Sequence, residues 1–145
     1  MKLVIQRVKS ASVKIEGETV GKIEKGFLVL IGVKVGDTRE QADYLAKKLC
    51  NLRVFTDENN KMNLALKDVG GKLLIVSQFT LYGNCNDGNR PSFIDAERPE
   101  NAIPLYEYFC EKCHERGIEV QKGVFGAHME VELLNDGPVT IIMEK

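Results

Sequence analysis

Three short stretches carry residue types and spacings that could do chemistry. Cys110-Glu111-Lys112-Cys113-His114 has the C-x-x-C-H spacing that attaches c-type haem. Ser77-Gln78-Phe79-Thr80 sets two hydroxyls three residues apart, directly after four apolar residues (Leu73-Leu74-Ile75-Val76). Asn135-Asp136-Gly137-Pro138 ends in two residues with no reaching side chain, so bare backbone could approach a ligand there. Standard catalytic signatures are absent: there is no G-x-S-x-G elbow, P-loop, H-E-x-x-H or Rossmann glycine pattern. Only two histidines are available for a triad, His114 on a helix and His128 on an alternating strand, and neither has a suggestive neighbour.

Each stretch also has a plain reading. Ala102, Leu105, Tyr106, Phe109, Cys110 and Cys113 recur at steps of three and four, with Gly117 as the stop. That puts both thiols on the buried stripe of a helix, where free Cys acts as a small apolar residue. No haem is expected despite the spacing. No metal is expected either, because no second Cys/His pair has structural zinc spacing. On a regular strand Ser77 and Thr80 point to opposite faces. They share a site only if the strand bulges or ends there. Asn135–Pro138 has the composition of an ordinary turn.

The elements that would hold these residues are mostly short strands. Residues 2–8 read as a first strand, and Ala11, Val13 and Ile15 alternate with polar residues in a second. Val20 and Ile23 suggest another after the Gly17-Glu18 turn. Gly26 opens a run through Val35 that is apolar on both faces, as a central strand would be. Thr38 and Gln41 have capping-box spacing before a helix whose stripe is Ala42, Leu45, Ala46, Leu49 and Leu52. Further strands are expected at 53–55, 73–81, 118–124, 128–134 and 138–143, with a long irregular stretch at 83–99 ahead of the second helix. The expectation is one α+β domain over residues 1–145: an antiparallel-rich curved sheet or β-barrel with two packed helices.

A chain of 145 residues, 43% apolar and 28% charged, is neither disordered, collagenous nor a membrane bundle. Its net charge of −1 excludes a strongly basic nucleic-acid binder as a whole. The charge is uneven, however. Residues 1–34 carry seven Lys/Arg against three Glu, so a basic face could still meet a phosphate backbone. Met1 to Arg7 has too short an apolar stretch for a signal peptide, and no apolar run is long enough to span a bilayer. A cytoplasmic protein with reduced cysteines is expected.

The sequence resembles the D-aminoacyl-tRNA deacylases, freestanding enzymes that strip D-amino acids from tRNA. The resemblance is carried by an ordered set, beginning with Ile5-Gln6-Arg7-Val8, Ala11-Ser12-Val13, Gly17-Glu18, and Gly26 with the strand ending at Gly32-Val33. It continues through Asp37-Thr38, Leu52-Arg53-Val54-Phe55, Lys61-Met62-Asn63 and Ser77-Gln78-Phe79-Thr80-Leu81. Arg90-Pro91-Ser92-Phe93, Phe125-Gly126-Ala127 with Met129, and Asn135-Asp136-Gly137-Pro138-Val139-Thr140 complete it. It spans essentially the whole chain.

Membership implies a homodimer of barrel-like subunits with each active site at the subunit interface. Ser77, Gln78 and Met129 would bind the 3′-terminal adenosine and aminoacyl ester of the tRNA, and Phe79 and Thr80 would be the catalytic positions. Gly137-Pro138, in cis and oriented by Arg7, would be the chirality filter. Its carbonyls would leave no room for an L side chain, while glycine mischarged on alanine tRNA would pass. The proofreading hydrolysis would be assisted by the tRNA 2′-hydroxyl and need no cofactor, with Thr80 as nucleophile the alternative. A reading of another class is a non-catalytic tRNA-binding module. Asn84-Cys85-Asn86-Asp87 departs from the more basic loop of relatives, which bears on tRNA-backbone contacts and leaves Cys85 near the pocket.

Overall fold

The two alternating stretches at the start of the chain join into a single 14-residue strand, β1 (Lys2–Ile15), which organises the sheet. The computed structural model describes all residues 1–145. On one side β1 pairs antiparallel with β3 (Gly26–Gly32) through its first half and β2 (Glu18–Ile23) through its second. Its other side pairs antiparallel with β8 (Glu130–Glu144) along nearly its full length. β3 then runs parallel to β6 (Lys72–Ser77), and β6 parallel to β7 (Val120–Lys122). The sheet is mixed and nearly closed. A Cβ on Gly21 of β2 would stand 2.9 Å from the Lys122 carbonyl oxygen, so only glycine lets the two ends approach this closely.

Parallel pairs were not expected, and the connections explain them. Parallel neighbours need a long crossover. The β3-to-β6 link carries α1 (Arg39–Cys50), the β4–β5 hairpin (Phe55–Thr56, Met62–Leu64) and a four-residue helix α2 (Leu66–Val69) that the sequence reading lacked. The β6-to-β7 link carries α3 (Pro99–Glu115). α1 begins at the Thr38–Gln41 capping box as its spacing requires.

The two long helices, α1 and α3, cover one face of the sheet. Phe27, Val29 and Ile31 of β3 and Leu73 and Ile75 of β6 meet Leu45, Leu49, Tyr106 and Phe109 there in the main core. The alternate residues Leu28, Leu74 and Val76 face inward against Val8, Ala11, Val13 and Ile23 in a second, smaller core. Two buried faces account for the continuous apolar runs of β3 and β6. Cys110 and Cys113 are buried on the inner side of α3, as the helical spacing implied.

Other boundaries also differ from the sequence expectation: the run expected through Val35 ends at Gly32 and the strand expected at 53–55 is Phe55–Thr56, and two further differences shape the site. The strand expected over 73–81 ends at Ser77 and gives way to a 3-10 turn at Phe79–Tyr82. The strands expected at 128–134 and 138–143 are one strand, β8, with His128 left in the connection before it. β7 is shorter than expected, covering Val120–Lys122 only.

Candidate active site

β6 stops because its neighbour offers nowhere to continue. The Gln78 N–H donates the last strand bond to the Ile31 carbonyl at 2.8 Å, and the chain then turns over Gly32. A Cβ at Gly32 would lie 3.1–3.2 Å from Leu81, Gln78 and Tyr82, so the 3-10 turn sits directly on bare backbone. Ending the strand releases Ser77 and Thr80 from opposite faces. A cavity of about 240 Å³ opens beside the turn, lined by Ser77, Gln78, Phe79, Phe125, His128 and Met129 among others. Thr80 is exposed at its margin rather than in its wall, and the Gln78 side-chain amide donates to its hydroxyl.

Two wall residues are held by close contacts. Met129 packs onto Gly123, where an added Cβ would fall 2.6 Å from its sulfur. Phe79, 53% exposed, meets the edge of Phe93 at 5.2 Å between ring centres. Phe93 in turn lies against Gly83, where a Cβ would be 2.9 Å from its ring.

The turn also leaves amides free. The first N–H groups of a helix have no intrahelical acceptor. Gln78 supplies no side-chain cap, and the Phe79 and Thr80 amides donate to no other acceptor in the chain. Two unpartnered N–H donors at a cavity's edge can bind an anion or a developing oxyanion. No titratable side chain hydrogen-bonds the Thr80 hydroxyl.

The Asn135–Pro138 segment is an excursion from a strand, not a turn between strands. Gln6 faces Thr140 and Val8 faces Asn135, so Asp136–Val139 stand opposite Arg7 alone. The Asn135 side-chain amide closes the neck, donating to the Arg7 carbonyl at 3.0 Å and the Val139 carbonyl at 3.1 Å. Arg7 is 8% exposed, and its guanidinium braces the excursion from below. Its Nε donates to the Asp136 carbonyl at 3.0 Å and pairs with the Asp136 carboxylate at 3.4 Å, while Nη1 donates to the Val54 carbonyl at 2.5 Å. Gly137 and Pro138 are exposed, their peptide bond is cis, and Gly137 has φ +132°.

The sequence-derived residues thus form two groups. Ser77, Gln78, Phe79 and Met129 share one cavity with Thr80 at its margin, and Arg7, Gly137 and Pro138 form a second cluster that does not line that cavity. Sequence reasoning missed His128 in the wall and Asn135 as a clamp. The only available signals were their places beside Phe125-Gly126-Ala127 and inside the Asn-Asp-Gly-Pro motif. A roomier groove of about 710 Å³ lies over β1 and β2, but Lys14 and Lys22 are offset there by Glu24 and Glu132. No group of three or more His, Cys, Asp or Glu side chains is arranged to hold a metal.

Comparison with known proteins bears on both clusters at once. Residues 4–144 match the family model described as D-Tyr-tRNA(Tyr) deacylase. The chain belongs to the D-aminoacyl-tRNA deacylase family. Over 99% of its length it is 60% identical to the D-aminoacyl-tRNA deacylase of Geotalea uraniireducens, covering 93% of that protein. It is 56% identical to the one from Thermosipho africanus, again over 99% of this chain and 97% of the relative. A solved structure described as a c-Myc DNA unwinding element binding protein superposes with TM-score 0.94 at 40% identity, covering 100% of this chain and 99% of that one. A probable eukaryotic D-amino acid tRNA deacylase shares the fold at TM-score 0.83 and 18% identity, over 98% of this chain and 97% of its own. As a member of a deacylase family the chain is a hydrolase, and the match spans the Ser77–Thr80 turn and the Arg7–Asp136 bulge together.

Proposed function

We propose that this chain edits tRNA by hydrolysing the ester of D-aminoacyl-tRNA. The observation that carries this reading is the pair of unpartnered Phe79 and Thr80 amides beside a cavity walled by Ser77, Gln78 and Met129. The terminal adenosine and its aminoacyl group occupy the cavity, and the ester carbonyl oxygen accepts from the two amides. Water attacks the carbonyl carbon, the amides stabilise the oxyanion, and the ribose oxygen leaves with a proton. The tRNA 2′-hydroxyl assists that transfer, because no side chain that could act as a base is hydrogen-bonded to the Thr80 hydroxyl. An aminoacyl ester is already activated, so alignment suffices. Thr80 therefore binds; it does not attack.

The Gly137–Pro138 backbone serves as the chirality filter, reaching the cavity of a second subunit in a homodimer. Two observations favour this pairing. The excursion is exposed and braced, yet it does not line the cavity of its own chain. β8 also leaves a 15-residue outer edge unpaired, with Leu134 and Ile142 56% and 66% exposed beside it. A long edge bearing apolar residues favours pairing with another strand, and a two-fold dimer covers the same edge on both copies. Selectivity then comes from excluding the L side chain. Glycine carried on alanine tRNA has nothing to exclude and is a second substrate. Exposed Lys9, Lys14, Lys22, Lys25 and Lys34 supply positive charge for the tRNA backbone. No helix is long and apolar enough to cross a membrane, in keeping with a cytoplasmic role beside tRNA.

The test follows amino-acid release from D-tyrosyl-tRNA and L-tyrosyl-tRNA separately, with sedimentation of the same sample. Release from the D-ester alone by a dimer is expected. Hydrolysis of both esters would discard the filter. Binding of tRNA without turnover would replace the enzyme with a binding module, the reading that the basic residues 1–34 otherwise favour.

A further inference from the structure

Only one anchor of the Arg7 guanidinium belongs to the excursion that carries Gly137 and Pro138. The other is the Val54 carbonyl, which lines neither the excursion nor the cavity of Ser77 and Met129. Val54 is buried and leads into β4, whose ladder with β5 has two residue pairs, Phe55 with Leu64 and Thr56 with Met62, and an irregularity between them. A two-stranded hairpin is marginal by itself. The turn end is held from within, since the Asp57 carboxylate accepts from the Asn59 and Lys61 amides at 2.8 and 3.0 Å. The open end, next to Val54, is closed by a side chain. Exposed Arg53 donates from Nε to the Asn63 carbonyl at 2.8 Å and from Nη2 to the Asn63 side-chain oxygen. A planar guanidinium that grips two acceptors of one residue fixes direction as well as distance.

We infer, on the reading of Gly137–Pro138 as the chirality filter, that Arg53 and Asn63 are positioning residues for that filter. Their clasp fixes β4 against β5 one residue before the Val54 carbonyl, and that carbonyl fixes Arg7. A buried guanidinium does not give up an acceptor cheaply, so Arg7 follows Val54. Arg7 in turn lies directly under the filter: a Cβ on Gly137 would stand 3.0 Å from its Nη2. A shift at the hairpin therefore reaches the Gly137 backbone through one rigid, fully bonded side chain. Neither Arg53 nor Asn63 lines the cavity or hydrogen-bonds the excursion, so Val54 and Arg7 are the route by which a change in either acts. The Phe79 and Thr80 amides lie outside this chain of contacts, which separates an effect on selectivity from an effect on turnover.

The experiment measures kcat/KM for D-tyrosyl-tRNA and L-tyrosyl-tRNA in wild type, Arg53→Ala, Asn63→Asp, Arg7→Ala and the double variant Arg7→Ala/Arg53→Ala. Water exchange of the Arg7 Nε–H is followed by NMR in wild type and Arg53→Ala. In Arg53→Ala the D-over-L ratio should fall about threefold or more, while kcat for the D-ester stays within about twofold of wild type. Exchange at Arg7 Nε–H should quicken in the same protein. Asn63→Asp keeps both acceptors for the Arg53 fork, so its ratio should match wild type. With Arg7 already removed, Arg53→Ala should change the ratio no further. Arg53 is exposed, so its truncation is expected to leave the chain folded. Asn63→Leu, which removes one of the two acceptors, carries the same expectation at smaller size should Arg53→Ala fold poorly. A wild-type ratio in folded Arg53→Ala would overturn the inference, and so would a second fall in the ratio on adding Arg53→Ala to Arg7→Ala. A wild-type enzyme that cuts both esters alike would instead remove the filter. The link from Arg53 to Arg7 would then be decided by the exchange rate alone, and unchanged exchange in Arg53→Ala would overturn it.

Discussion

The Ser77–Tyr82 turn and the Asp136–Val139 excursion use backbone in opposite ways. At the turn the strand stops and two N–H groups are left without acceptors, so the backbone can donate to a ligand. At the excursion the strand resumes, and the side chains of buried Arg7 and half-buried Asn135 occupy the backbone from behind: Arg7 takes the Asp136 carbonyl, and Asn135 takes those of Arg7 and Val139. The first region is under-satisfied, as a binding site is; the second is over-determined, as a rigid steric wall is. The contrast suggests that catalysis depends on groups with no partner yet, and selectivity on groups that cannot move.

The largest effects should come from loosening the wall. Arg7→Ala removes one buried and one half-buried hydrogen bond and leaves the Val54 and Asp136 carbonyls without those donors, which costs about 2–4 kcal/mol of stability. The ion pair to Asp136, whose side chain is a third exposed, adds little. Denaturant unfolding should show this loss, and L-tyrosyl-tRNA should become a substrate of the folded fraction. Gly137→Ala attacks the same wall directly. Its φ of +132° is a region L residues avoid, and the new Cβ would sit 2.9 Å from Val139 Cγ2 and 3.0 Å from Arg7 Nη2. A cost of roughly 1–3 kcal/mol is expected, with the D-over-L ratio falling by at least about tenfold, or 1.4 kcal/mol. An unchanged ratio in both variants would break the comparison, since a wall that tolerates such changes is not one.

The two regions were also unequally legible in the sequence. The helices announced themselves through the Thr38–Gln41 box and the Ala102–Cys113 stripe, and the two-sided burial of β3 was written in its unbroken apolar run. Local pattern failed where distant contacts decide. Gln78-Phe79-Thr80-Leu81 alternates like a strand, and it is the bare backbone of Gly32, more than forty residues earlier, that admits the 3-10 turn. Asn135–Pro138 has turn composition, and only bonds from Arg7, near the other end of the chain, convert it into an excursion within one strand. Parallel pairing of β3, β6 and β7 is likewise set by crossovers that no local window contains. The resemblance assigns Ser77–Thr80 and Gly137-Pro138 to separate roles and puts Arg7 beside the latter, but the Asn135 bonds that close the neck of the excursion had no signal in the local sequence.

A middle-sized effect should come from the cavity side. Gly123→Ala places a Cβ 2.6 Å from the Met129 sulfur, so the thioether must shift from its place in the cavity wall. Overpacking of this kind costs about 1–3 kcal/mol. Met129 borders the space assigned to substrate and not the unpartnered amides, so KM for D-tyrosyl-tRNA should rise several-fold while kcat moves less. The D-over-L ratio should stay put, because the Arg7–Asp136 brace is untouched. A fall in that ratio would mean the two regions are not separable.

The smallest effects are expected at the side chains that look most catalytic. Thr80 carries a hydroxyl beside the cavity, and His128 brings an imidazole to its wall. The only side-chain partner of the Thr80 hydroxyl is the Gln78 amide, which donates to it and cannot remove its proton. Backbone amides survive substitution by alanine, so Thr80→Ala should keep activity within about tenfold of wild type, a change of 1.4 kcal/mol or less. His128→Ala should leave the shape of the pH–rate profile between pH 5 and 8 unchanged, because the proposed proton route runs through the tRNA 2′-hydroxyl. Loss of several orders of magnitude in folded Thr80→Ala would make Thr80 the nucleophile. A disappearing limb in the His128→Ala profile would supply the base that the hydroxyl lacks. Both results together would turn the under-satisfied region from a binder of oxyanions into a conventional side-chain catalyst. The difference between the two regions would then lie in their side chains and no longer in how each treats its backbone.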